Sequence, residues 1–169
     1  MALKKNEFDG QFVLSKSEKC FPYKWKTRQI DDWFLSSHRS LPVIEICRPN
    51  GQAIGWLLGH AITQKAQLLN SKLTLENELC EADNFESWVC SLSGRFACAY
   101  LTSQTSRVYL DSCGSLAVVY STEHQSVAST TTLVADFERD GDHEMIRALG
   151  MPESDAWYPS GLTPMKNVR

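Results

Sequence analysis

Apolar and polar positions change rhythm several times along this chain, and the clearest stretch runs from Leu92 to Ser129. Phe96, Cys98 and Tyr100 alternate with Ala97, Ala99 and Leu101, so both faces are apolar or small. That pattern predicts a strand covered on both sides. Thr102 to Ser106 is a polar turn. Val108 and Leu110 then alternate with Arg107, Tyr109 and Asp111 as a second strand, and Ser112-Cys113-Gly114-Ser115 turns the chain again. Leu116 to Tyr120 is a Val-rich run of strand length, and Ser126 to Ser129 returns after the polar Glu123-His124-Gln125. Short connections of this kind join antiparallel strands.

Earlier in the chain, Gln11 to Leu14 predicts a first strand. Cys20 to Lys26 predicts a strand with Phe21, Tyr23 and Trp25 on one face. Trp33-Phe34-Leu35 is an apolar patch followed by the polar Ser36 to Ser40. Val43 to Cys47 and Ala53 to Leu58 form a hairpin about Arg48-Pro49-Asn50-Gly51, in which Pro presets one dihedral and Asn-Gly tolerates positive φ. Gln64 to Leu79 fits neither the strand nor the helix period. Asp83 is placed to cap a helix carrying Phe85, Trp88, Val89 and Leu92 on one stripe, with Gly94 as its stop. Further helices are predicted from Thr130 or Thr131, carrying Leu133, Val134 and Phe137, and from Asp142, carrying Met145, Ile146 and Leu149 to Gly150.

The chain has 169 residues, which predicts one domain over 1–169 with 151–169 as a tail. An apolar fraction of 43% suffices for a core, and the net charge of -3 gives nucleic acid no basic footprint. No apolar run approaches the length of a membrane span and the amino terminus lacks an apolar signal core. Cys20, Cys47, Cys80, Cys90, Cys98 and Cys113 are read as reduced thiols of a cytoplasmic protein. A disulfide pair stays open.

The segments Gly94-Arg95-Phe96-Ala97, Arg107 to Tyr120 and Val127-Ala128-Ser129-Thr130 together resemble the late strands of one domain. It is the N-terminal class II glutamine amidotransferase domain of asparagine synthase-like proteins, which has the N-terminal-nucleophile hydrolase fold. About a quarter of the chain carries the resemblance, and Tyr158 to Val168 is similar to the segment leading into the synthetase domain. The resemblance implies an α+β fold: a four-layer α-β-β-α sandwich of antiparallel sheets with helices outside. It also implies a neighbouring C-terminal domain that activates a carboxylate with ATP, so the chain is expected to be the N-terminal part of a longer amide- or lactam-forming protein.

In such glutaminases a cysteine exposed as the first residue is the nucleophile and its own amine the base. Oxyanion donors, an arginine for the substrate carboxylate and an aspartate for its ammonium complete the site. Here position 2 is Ala2, neither the Arg-Leu-Ser-Ile nor the Asn-Gly-Glu-Ile-Tyr-Asn segment of the family occurs between His60 and Gly94, and Arg95 stands where the ammonium-binding aspartate would be. A guanidinium cannot hold a cation. The expectation is therefore a catalytically inactive amidotransferase-like domain, without cofactor or metal, that packs against its synthetase-like neighbour or forms a homodimer.

Two other readings stay open. Clipping before Cys20 would unmask a nucleophile, although Phe21 stands where glycine normally follows. Alternatively Arg95, with Asp111, lines a remnant pocket that takes a small anion; an ion pair between the two is the plainer role. The acidic run Asp136, Glu138, Asp140, Asp142, His143 and Glu144 reads as helix caps and solvated face rather than ligands. His60 reads as structural.

Overall fold

The computed structural model describes residues 10–19, 25–134, 163, 168 and 169. Among these residues, ten strands fall into two five-stranded sheets. In sheet A the order is β2 (Trp25–Ile30), β3 (Trp33–His38), β1 (Phe12–Ser15), β10 (Ser126–Ala128), β9 (Val119–Ser121). In sheet B it is β6 (Leu73–Thr74), β4 (Val43–Cys47), β5 (Ala53–Ile62), β7 (Ser93–Leu101), β8 (Ser106–Leu110). All neighbours run antiparallel except β4 and β6. The one α-helix among the described residues, α1 (Ala82–Cys90), follows a 3-10 turn at Asn77–Cys80.

Period-two alternation on β7 builds the molecule. Ala97, Ala99 and Leu101 join Trp56 and Leu58 against Phe12, Leu14 and Leu35 of sheet A, which makes the core between the sheets. Phe96, Cys98 and Tyr100 point the other way and meet Phe85, Val89 and Leu92 at α1. The small residues Ala97 and Ala99 leave room for Trp56, one of the largest fully buried side chains. Tyr100 spans both layers of its side. Its ring lies 4.5 Å from that of Phe85, and its hydroxyl donates to the Cys80 carbonyl at 2.7 Å.

The four-layer α-β-β-α expectation is overturned. The described chain is mostly strand, and its single α-helix covers sheet B alone. The outer face of sheet A packs Val13 and Ala128 with Val134 and Val168, and 131–133 forms only a 3-10 turn where a helix was expected to begin. Gln64 to Leu79 yields a two-residue strand and leads into a 3-10 turn; its Leu69, Leu73, Leu75 and Leu79 all reach the core under α1, but at spacings that follow neither regular period. The helix expected from Asp142 lies outside the described residues, as do residues 20–24 of the strand expected over Cys20 to Lys26; Trp25 and Lys26 open β2, which continues to Ile30.

Smaller corrections have local causes. Ser36 to Ser40 is not a polar connection: Ser36, Ser37 and His38 continue β3 and are buried. Asp83 sits in the first turn of α1 rather than at its cap, which is Glu81 without a side-chain bond. Gly94 does not stop the helix. It belongs to β7 at φ 137°, where a Cβ would lie 2.2 Å from the His60 carbonyl oxygen, so only glycine lets β5 approach. Leu116 is buried in the central core but precedes β9.

The 92–129 stretch does not form a single unit. It delivers β7 and β8 to sheet B and β9 and β10 to sheet A, so residues 111–118 cross from one sheet to the other.

Candidate functional site

Arg95 and Asp111 are brought together at the loop that crosses between the sheets. Arg95 is on β7 opposite His60 of β5, and both side chains are exposed. Asp111 follows β8, is buried, and turns its carboxylate into the crossing loop. Its oxygens accept from the backbone N–H of Phe96 (3.2 Å), Cys113 (3.0 Å) and Ser115 (3.0 and 3.1 Å) and from the Ser115 hydroxyl (3.0 Å). Burial pushes the Asp111 pKa up. The donated bonds from Ser115, Cys113 and Phe96 outweigh it and hold the carboxyl below the usual range.

Arg95 makes no ion pair with this carboxylate; its Nε donates to the Ser115 carbonyl at 3.2 Å. A sequence read for charge suggests attraction between the two. The fold instead uses both to fix one serine. With its lone pairs occupied by the loop, Asp111 has little capacity left for a ligand.

Three of the thiols are committed to the core. Cys47, Cys80 and Cys98 are buried, and Cys90 and Cys113 are exposed; all five are free. Burial raises the pKa of Cys98 far above the ordinary thiol value, and raises Cys80 despite Arg48 nearby. Cys47 is raised by burial and by the Glu45 carboxylate, to which its Sγ donates at 3.4 Å; Lys72 pairs with that carboxylate at 2.8 Å. A thiol held protonated is a poor nucleophile. Cys20, Ala2 and the acidic run from Asp136 to Glu144 lie outside the described residues.

Two well-formed cavities lie elsewhere, and Arg95 and Asp111 line neither of these two. One, of about 1140 Å³, is a polar groove at the opposite end of the sheets. It gathers three turns: Asp31-Asp32 between β2 and β3, Arg48 to Gln52 between β4 and β5, and Thr102 to Thr105 between β7 and β8. Its charges are partly spent internally. Lys16 pairs with Asp32 at 2.8 Å and lies 5.5 Å from the centre of the Trp33 ring. The turns at Arg48 to Gly51 and Thr102 to Ser106 are legible in the sequence; the one at Asp31-Asp32, and the strand order that assembles all three, are not.

The second cavity, of about 780 Å³, is an apolar slot between the sheets at their β8 and β9 edges. Leu14 and Leu101 form its back, with Val108, Leu110, Val118 and Val127 as walls. The Trp33 indole N–H donates to the Ser106 hydroxyl at 3.0 Å at one side. Comparison with protein-family models, with curated proteins and with solved structures gave no match.

Proposed function

We propose that this chain is a non-catalytic domain whose work is packing and recognition. This is the role that the amidotransferase resemblance would give a degenerate domain beside an ATP-dependent, asparagine synthase-like neighbour. With the expected layer arrangement overturned, that kinship rests on the sequence motifs of β7 to β10 alone. The observation that carries the reading is the Asp111 carboxylate, bonded by three donors of its own loop and one of the neighbouring strand β7 and so employed in holding the fold. The raised pKa values of the buried thiols point the same way.

A glutaminase assay tests the non-catalytic role. Neither the intact chain nor a form beginning at Cys20 should release ammonia from glutamine above the buffer rate. Release that disappears on Cys20→Ala would overturn the reading in favour of the clipped enzyme. The kinship has its own test in the parent coding sequence, which should continue past Arg169 into an adenylating domain; a stop codon there removes the synthetase partner.

One observation favours a second reading, a small-anion module. Arg95 uses only Nε on Ser115, and its Nη groups have no protein partner among the described residues. A thermal-shift series with dicarboxylates, repeated on Arg95→Ala, separates this from the first reading. Stabilisation that vanishes in the variant supports anion binding.

A further inference from the structure

Strand β8 is an edge of sheet B and pairs only with β7 among the described strands. The Asp111 N–H donates to the Phe96 carbonyl, so by antiparallel alternation Tyr109 and Arg107 also turn their backbone groups toward β7. Ser106, Val108 and Leu110 therefore present their N–H and C=O groups outward. The side chains of Val108 and Leu110 meanwhile wall the apolar slot. Four large apolar side chains are strongly exposed among the described residues, and two of them, Leu110 (43%) and Tyr120 (45%), flank this same opening. The strand has neither the proline nor the bulge by which lone edges are commonly blunted.

We propose that β8 pairs with β8 of a second copy of this chain, antiparallel about a two-fold axis through Val108. The choice of a second copy comes from the strand's own pattern, Ser-Arg-Val-Tyr-Leu. Centring on Val108 uses all five residues and sets outward-facing Val108 against its counterpart. It sets Ser106 against Leu110 of the second copy, and Arg107 against Tyr109 of the second copy. No like charges oppose one another, and each guanidinium faces a phenol ring. Arg107 keeps Glu86 of its own helix at 3.2 Å, so its charge is already balanced when the edges meet. The result is an isologous interface in which sheet B runs continuously through both copies and the two slots face a shared seam. The pairing goes beyond the non-catalytic reading and does not depend on it.

Sedimentation velocity with far-UV circular dichroism tests the pairing. The wild-type chain should show twice the monomer mass. Val108→Pro removes the central outward donor without touching a β7 bond, and Leu110→Lys puts a charge on the seam. Each should halve the mass while keeping the dichroism spectrum; should the proline variant fail to fold, the lysine variant decides. The proposal is overturned by a wild-type chain that stays monomeric at its solubility limit, or by a folded Leu110→Lys protein that remains a dimer. A monomer that accepts an unrelated extended peptide at this edge overturns it too.

Discussion

Arg95 and Asp111 meet through Ser115: the arginine Nε donates to the serine carbonyl, and the aspartate carboxylate takes the serine N–H and hydroxyl. The pair is unequal. Arg95 is exposed and contributes one bond in water, whereas Asp111 is buried and satisfies three backbone donors. Asp111→Ala should cost about 3 kcal/mol, because those donors lose their acceptor inside the fold. Arg95→Ala should stay within about 0.5 kcal/mol of wild type. Urea unfolding of the two variants measures the contrast, and equal costs would refute it.

The same carboxylate sets a pH dependence. Its folded pKa is lowered, so the folded state binds fewer protons than the unfolded chain as acid is added. The stabilisation is complete above the unfolded value, about 3.9, and is lost as pH falls through the lower folded value. Asp111→Asn should therefore be less stable than wild type at neutral pH, with the gap closing below about pH 4. A gap that widens in acid would show that the carboxylate is not the group responsible.

Gly59 offers a backbone test. It has φ 97°, its N–H donates to the Pro42 carbonyl at 2.8 Å, and a Cβ there would lie 2.4 Å from the Arg95 carbonyl oxygen. Gly59→Ala combines a strained dihedral with a clash against an adjoining strand, and should lose more than about 3 kcal/mol. Gly51 also has positive φ but open space around its Cβ position, so Gly51→Ala should lose only about 1 kcal/mol. Melting temperatures of the two variants give the comparison.

Alkylation should follow burial. Brief iodoacetamide treatment of the folded protein, read by peptide mass mapping, should mark Cys90 and Cys113 and spare Cys47, Cys80 and Cys98. Rapid native labelling of Cys98 would contradict the packing of β7.

What could be read in advance depended on which faces a strand buries. β7, β4 and β5 were legible because apolar residues fill one or both of their faces. β3 is not legible as a strand: Trp33-Phe34-Leu35 reads only as a short apolar patch, and the Ser36 and Ser37 that continue it are buried yet polar. Sheet A buries further hydroxyls at Ser15, Ser121 and Ser126, which in a sequence look like surface. Gly94 was misread because glycine signals both a helix end and a close backbone approach, and only the neighbouring strand tells them apart. At the candidate site the sequence suggests an ion pair between Arg95 and Asp111, and the structure shows each bonded to Ser115 instead. Their shared use of Ser115 was not visible, since backbone donors carry no side-chain signature.

Sheet A joins the two ends of the described chain, with Val13 beside Ala128, whereas sheet B is complete between Val43 and Leu110. During synthesis, sheet B can therefore assemble on the ribosome while β1 to β3 still await β10. That closure spans most of the polypeptide and must come late and slowly. Until it happens, β1 keeps one row of backbone N–H and C=O groups unpaired, and that row is where a strand of another nascent chain can add.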